Sequence, residues 1–483
     1  MQAKQKNKTG WFDKRDITEL LKALHKKELR PLTKYLKVYG SPGVQLLWKV
    51  IMPKYPLFKI KDATIRNSIR PGKPLTQKAY PVLLNDLSKL VKTFITEQEF
   101  REDQLLYDNI QAKALINRRA KRNYKRVRQQ QHKRLESQKP DAEYYDYLHK
   151  SKLTDFQHTT LFDPYKKENS LQEASNYHDY SFLIKKLRYL SSIYNRKRIV
   201  NTVYNEQHEE AFLQYLSEFC LEEHPLIKAY FLNIQLFRES SIGNYTSLKN
   251  QLLPIRNQFD KDEIRQLLTL AQTICTTSIR EGRLDFLKER FLLTKIMVEE
   301  NFLKVLGHFS NNHFRTTLRD AIEANQLSWA YEFLANKLPL THPDHRTNLE
   351  LLGWAQWYFA KGDYEKLNDH LLQMQSAAYQ FTDDLNELAY RVLHLKTDYK
   401  LLDNSSKAKE IQAFKHHLNR YLLYCKRKIN LHDETRQSRM NFGYAVRLLF
   451  NARHGKKQSS KVLKTKILGL KPIVELPWLL GSV

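Results

Sequence analysis

Glycine is scarce in this chain, 13 in 483 residues, less than half the usual share of roughly 7%. Tight turns, hairpins and phosphate-cradling loops need glycine where the backbone takes positive φ or comes close to a ligand. The scarcity therefore predicts long helices joined by short connections, an all-α fold. Core material is ample: hydrophobic residues make up 41% and aromatics 12%, with 27 Tyr and 23 Phe, unlike the aromatic-poor composition of disordered chains. A chain of 483 residues outgrows one compact core, which leaves several domains or an elongated repeat stack.

Helical periodicity divides the chain into three parts. Residues 1–100 read as an N-terminal helical bundle. Its first helix carries Ile17, Leu20, Leu21 and Leu24 and is bent at Pro31; its last has Leu83, Leu84, Leu87, Leu90, Val91, Phe94 and Ile95 on one side. Residues 101–138 read as one long charged helix, from Glu102 to about Leu135. Residues 139–483 read as successive antiparallel helices, among them 142–157, 171–195, 206–223, 225–238, 245–258, 263–281, 284–300 and 314–325. Gly243 and Gly282 fall where helix C-termini would place them. Paired helices repeated in this way predict an α-solenoid.

One segment carries a repeat signature. In 351–367 a small residue, Ala355, an aromatic, Tyr358, and the turn Gly362-Asp-Tyr-Glu365 have the spacing of a tetratricopeptide repeat, with Leu367 in place of the usual Ala. A weaker relative lies at 324–330, with Ala330 as the small residue. Leu351, Trp354 and Tyr358 share a face, which makes Tyr358 core; Trp357, about 100° around the helix, either packs on the next repeat or lines the groove. Stacked pairs leave a concave groove of the kind that binds partners.

Net charge is +29, a field that attracts polyanions without choosing among them. It is concentrated between Asn109 and Leu135, where Lys113, Arg118, Arg119, Lys121, Arg122, Lys125, Arg126, Arg128, Lys133 and Arg134 stand with no Asp or Glu. No local i,i+4 pair can neutralise that run. Read as function, it is a footprint for nucleic acid, with Tyr124 stacking on a base; read plainly, it is an exposed helix balanced by acids elsewhere. A second cluster, Arg453, Lys456, Lys457, Lys461, Lys464, Lys466 and Lys471, adds little, since terminal segments are often basic for solubility.

Nucleotide-loop, dinucleotide, zincin and nucleophile-elbow signatures are absent. His342-Pro-Asp-His345 reads as a loop with two imidazoles, short of the three protein ligands a metal usually takes. His416-His417 reads as a solvated or interfacial pair pointing to different faces. The doublets Glu209-Glu210, Glu222-Glu223, Glu299-Glu300 and Asp383-Asp384 read as solvated helix faces. Cys220, Cys275 and Cys425 lack metal or redox spacing and are expected reduced and buried. No secretory signal and no run of about 18 apolar residues occurs, so the expectation is a cytoplasmic protein with no cofactor and no membrane span.

Several stretches carry a wider likeness: Pro71-Gly-Lys-Pro74 with Asn85-Asp-Leu-Ser-Lys-Leu-Val91, Asp141-Ala-Glu-Tyr-Tyr145, Leu171-Gln-Glu-Ala-Ser175, Lys186-Leu-Arg188, Tyr194-Asn-Arg-Lys-Arg-Ile199, His224-Pro-Leu-Ile227, Trp329-Ala330, Gly362-Asp-Tyr-Glu365 and Trp478-Leu-Leu480. Together they resemble an uncharacterised family of bacterial helical-repeat proteins of about this length. The departures lie near Tyr35 to Gly43 and at Pro477-Trp478. The resemblance implies a helical fold, no cofactor and no known catalytic residues. The leading expectation is a non-catalytic scaffold binding a protein or peptide partner. The alternative is a basic nucleic-acid- or polyanion-binding protein using Lys113 to Arg134, and an enzyme of unrecognised type comes third.

Overall fold

The computed structural model describes residues 11–69, 72, 75–199, 203–205, 207–219, 221–305, 308–375, 381, 384–402, 407–427, 433–455 and 458–483. It is an all-α helical-repeat fold. Beyond its helices, the described residues contain a two-stranded hairpin, Lys304–Val305 with His308–Phe309, and two isolated bridges. Cys220, Lys456, Lys457, Asp383, Pro71, Lys73 and Pro74 lie outside the described residues. The chain forms two compact units, 1–138 with 147–174, and 139–146 with 175–483.

The first unit begins with α1 (Asp16–Ala23), α2 (Leu29–Tyr39), α3 (Pro42–Ile51), α4 (Asp62–Ile69) and α5 (Ala79–Glu102). They surround a core that includes Leu21, Leu32, Leu47, Phe58 and Leu87. Ser41 caps α3 by accepting the Val44 N–H, and Pro42 takes the first turn, where its missing N–H costs nothing. Buried Asp62 accepts from Arg15 and from Tyr80 Oη, the latter at 3.0 Å.

The expected single helix from Glu102 to Leu135 is two: α6 (Gln104–Asn117) and α7 (Lys121–Glu136), folded against each other. Arg119 takes φ 55° between them, and the Ala120 N–H closes back on the Leu115 carbonyl at 2.9 Å. The physical reason is burial. A straight rod would leave Ala112 and Ile116 in water, whereas the fold-back packs them on Tyr124 and Val127. No glycine or proline marks the turn, so local pattern could not reveal it.

Two long helices follow, α8 (Ala142–Phe162) and α9 (Ser170–Ile199), and the division between units falls within both. The second unit continues with α10 (Glu209–Glu218), α11 (Pro225–Arg238), α12 (Ile242–Ile255), α13 (Lys261–Arg280), α14 (Phe286–Glu299), α15 (Asn311–Glu323), α16 (Leu327–Lys337), α17 (Pro343–Lys361), α18 (Tyr364–Gln375), α19 (Asp384–Leu401), α20 (Ala408–Arg427), α21 (Asp433–His454), α22 (Ser460–Leu468) and α23 (Leu476–Gly481). Each helix from α13 to α17 packs on the next. Odd helices also meet across the repeat, α11 with α13, α15 with α17 and α17 with α19. That is how helix pairs bury faces they cannot cover alone.

The repeat at 351–367 folds as a helix pair, α17 and α18, with Ala355 and Leu367 fully buried. Gly362 closes α17 at φ 82°, a left-handed position that glycine takes without a Cβ clash. Gly282 does the same after α13, but Gly243 sits in the first turn of α12, not at a C-terminus. Both aromatic neighbours on α17 meet the core, Trp357 more deeply than Tyr358. Trp357, expected at the repeat junction or groove, is buried and donates its Nε1–H to the Leu327 carbonyl at 3.0 Å. Tyr358 is half-buried, with the Lys366 ammonium 5.6 Å above its ring. Helix α17 packs against α15, α16, α18 and α19, so its buried arc is wider than the Leu351–Tyr358 stripe and takes in Trp357.

Cys275 and Cys425 are buried and free. Among the described residues no helix is long and apolar enough to cross a membrane.

Candidate functional site

The second unit carries a cavity of about 250 Å3 against α15, α17 and α19, closed on another side by Arg439 of α21 and by Glu475 to Trp478. A smaller recess shares Arg319, Glu323, Arg439, Glu475 and Pro477 with it and is lined further by Arg280 and Arg290. The C-terminal segment reaches this place through backbone bonds: the Ile473 N–H donates to the Arg280 carbonyl and the Val474 N–H to the Ser438 carbonyl, both at 3.4 Å.

Charge in this region is unbalanced. Arg280, Arg290, Arg319, Lys396 and Arg439 gather here with the carboxylates Asp320, Glu323 and Glu475, and Glu434 of α21 acts on Arg280 as a fourth. Arg290, 3% exposed, pairs with Asp320 at 3.1 Å and with Glu323. Arg319 also donates to Asp320, at 3.0 Å, and Asp320 accepts from Thr294 Oγ1 at 2.9 Å. Burial pulls the Arg319 guanidinium down, but Asp320 and Glu323 outweigh it and hold it above its ordinary value. Lys396 pairs with Glu475 at 2.7 Å. Burial pushes the Glu475 carboxyl up, yet Lys396, with Arg439 and Arg319, brings it below the ordinary carboxylate value.

Two guanidiniums are left over. Among the described residues Arg280 and Arg439 make no ion pair and no side-chain hydrogen bond, and Arg439 Nε is buried without a partner. Burial, then the neighbouring Arg319 and Arg439, push Arg280 down to about 10, the mark of a cation held among cations in a poor solvent. Both face the recess, and the adjoining cavity is walled by Phe359, Val392, Leu393 and Trp478. Lys396 lies 4.7 Å above the Phe359 ring and 5.3 Å above that of Trp478. Chemically, such a place suits an anionic group attached to an apolar or aromatic body.

Sequence reasoning missed this set because its members are scattered from α13 to α23. One local signal existed. Arg290 and Thr294 stand on the face that buries Phe286, Leu293 and Met297, and a lone cation on an apolar stripe demands a buried counter-charge.

The basic run lies in the first unit and splits in two. Arg128 pairs with Asp155 at 2.5 Å and Arg134 with buried Asp108, so these two are structural. Tyr124, expected to stack on a base, is 4% exposed. Its ring stacks on His158 at 4.4 Å and its hydroxyl donates to Asp155 at 2.5 Å, while burial and then Asp155 raise its pKa well above the ordinary value. Packing removes it from any binding face. Lys113, Arg118, Arg119, Lys121, Arg122, Lys125, Arg126 and Lys133 are exposed, and among the described residues none pairs with a carboxylate.

The histidine pairs also separate. His342 caps α17 rather than lying in a loop, and its ring centroid is 6.1 Å from that of His345. His416 is exposed, whereas His417 turns inward: its Nδ1 lies 2.6 Å from Asp398 Oδ2 on α19. His394, one turn before Asp398, completes a cluster whose ligand atoms all lie within 4.8 Å of one another. In the Glu209-Glu210 doublet the two carboxylates part: Glu209 accepts from Tyr194 while Glu210 pairs with Arg238.

No protein family, no curated protein and no solved structure matches this chain.

Proposed function

We propose that this chain is a non-catalytic helical-repeat scaffold that holds a protein or peptide partner by an acidic group seated between Arg280 and Arg439. The observation that carries the reading is the pair of guanidiniums that make no ion pair among the described residues, beside an apolar cavity. Cations that make no ion pair in a poorly hydrated place are costly, and a bound carboxylate or phosphate removes that cost. The apolar walls suit an aromatic or aliphatic neighbour of the acid on the same peptide. Kinship with the uncharacterised bacterial helical-repeat family is part of the same proposal, supported by the repeat at 351–367. So is a cytoplasmic location, supported by the free thiols of Cys275 and Cys425.

The test uses labelled acidic-aromatic peptides and their Gln-for-Glu counterparts, with binding read by fluorescence anisotropy. The acidic peptides bind at least about tenfold more tightly, as a charge-assisted bond of about 1.5–3 kcal/mol requires. Arg439→Gln abolishes that preference while keeping the wild-type melt. Equal binding of both peptide sets overturns the reading.

A second reading rests on a different observation, the eight exposed and unpaired cations of the α6–α7 hairpin. In it this hairpin binds nucleic acid or another polyanion through phosphates, without base stacking by Tyr124. Affinity for a duplex then falls steeply with salt, by about 0.9 log units per log unit of salt for each phosphate engaged.

A further inference from the structure

We propose that His394, Asp398 and His417 form a binding site for a divalent transition metal of the zinc type, joining α19 to α20. His394 and Asp398 are four residues apart on α19, hence on one face, one turn apart. His417 comes from α20, which packs on α19. The ligand atoms stand close: His417 Nδ1 to Asp398 Oδ2 is 2.6 Å and His394 Nε2 to Asp398 Oδ1 is 3.6 Å. The two imidazole centroids are 4.5 Å apart with their planes 52° from each other, so the rings converge on a point rather than stack.

Zinc–ligand bonds of about 2.0–2.2 Å place tetrahedral ligand atoms about 3.2–3.6 Å apart. The His394–Asp398 separation already has that value. The His417–Asp398 contact opens by about 1 Å or less as the metal takes the place of the shared proton, and the two imidazole nitrogens, no more than 4.8 Å apart, draw in to the same spacing. Two imidazoles and a carboxylate form the nitrogen–oxygen donor set that zinc, nickel and copper accept, and that magnesium and calcium do not favour.

A fourth donor stands beside the cluster. The Gln375 amide nitrogen at the end of α18 lies 3.3 Å from His394 Nε2, and rotation about its terminal bond brings the amide oxygen there instead. His417 is 12% exposed and His394 24%, so the cluster is shielded yet open enough for an ion to enter. Neither α19 nor α20 contributes to the cavity by its cluster residues, and the metal reading stands apart from the proposed function.

The test titrates the full-length metal-free chain with Zn2+ by calorimetry and with Co2+ by absorption spectroscopy. One equivalent binds, Co2+ gives tetrahedral d–d bands, and saturating Zn2+ raises the melting temperature. Loss of a partner that merely orients a ligand costs about 10–100-fold in affinity, so His417→Ala and Asp398→Asn each weaken Zn2+ binding by at least about tenfold. The adjacent His416→Ala does not. Circular dichroism of both ligand variants verifies folding, and Asp398→Asn keeps the volume of the site should His417→Ala unfold. Absence of saturable binding to the wild-type chain, or affinity unchanged in folded Asp398→Asn and His417→Ala, overturns the proposal.

Discussion

Two cationic regions of this molecule make an instructive contrast, the α6–α7 hairpin of the first unit and the arginine pocket of the second. The hairpin holds its charges consecutively in sequence and spreads them over solvent, where each is hydrated and cheap to keep. The pocket draws Arg280, Arg290, Arg319, Lys396 and Arg439 from five helices and a chain of 160 residues, and holds them among fewer carboxylates. Charge density along the chain therefore says little about charge density in space. Exposed cations are worth almost nothing to stability, whereas a buried ion that loses its partner is expensive.

The sharpest way to break that contrast is to remove the central acid of the pocket. Asp320, 1% exposed, serves Arg290, Arg319, Thr294 and Gln272. Asp320→Ala leaves buried Arg290 and half-buried Arg319 short of counter-charge, and urea denaturation should find it less stable by about 3–5 kcal/mol. A loss near zero would place these arginines in water, like those of α7.

The apolar core of the repeat gives the next largest effect and a scale for the first. Trp357→Ala removes a buried ring together with the acceptor-matched N–H to Leu327 and should cost about 3–5 kcal/mol in the same experiment. Tyr358→Ala, on the half-buried edge of α17, should cost less than half as much. The reverse order would restore the repeat register that spacing alone suggests.

Smallest is the effect on the hairpin. Replacing Arg118, Arg119, Arg122 and Arg126 by Ala should leave the melt within about 0.5 kcal/mol per site, because these side chains are exposed and unpaired. The same variant should reduce the salt slope of duplex binding by up to about 3–4. A large stability loss would make the run structural throughout, as Arg128 and Arg134 already are.

The composition and periodicity of the chain settle much of the fold, because helix formation is local. Few glycines, apolar residues at helical spacing and the Gly362 turn suffice for all-α pairs, and Gly282 and Gly362 both end helices at positive φ. Local pattern fails where tertiary burial overrides it. Nothing in 102–135 announces the fold-back at Arg119, since only the gain from packing Ile116 on Tyr124 and Val127 favours it. Tyr124 and Trp357 look available in sequence and are buried in the structure.

The candidate sites divide along the same line. Local pattern suffices to tell that the chain is helical, that it repeats, that it is strongly basic and where its densest basic run lies. Which charges are neutralised follows from long-range packing, which brings Asp155 to Arg128 and Asp108 to Arg134 across 27 and 26 residues. That packing also decides that Arg280 meets Arg439 and that His417 meets His394 and Asp398. Helix geometry is fixed within a few residues by backbone bonding, whereas an electrostatic site depends on distances between residues far apart in sequence, set by packing of the whole unit.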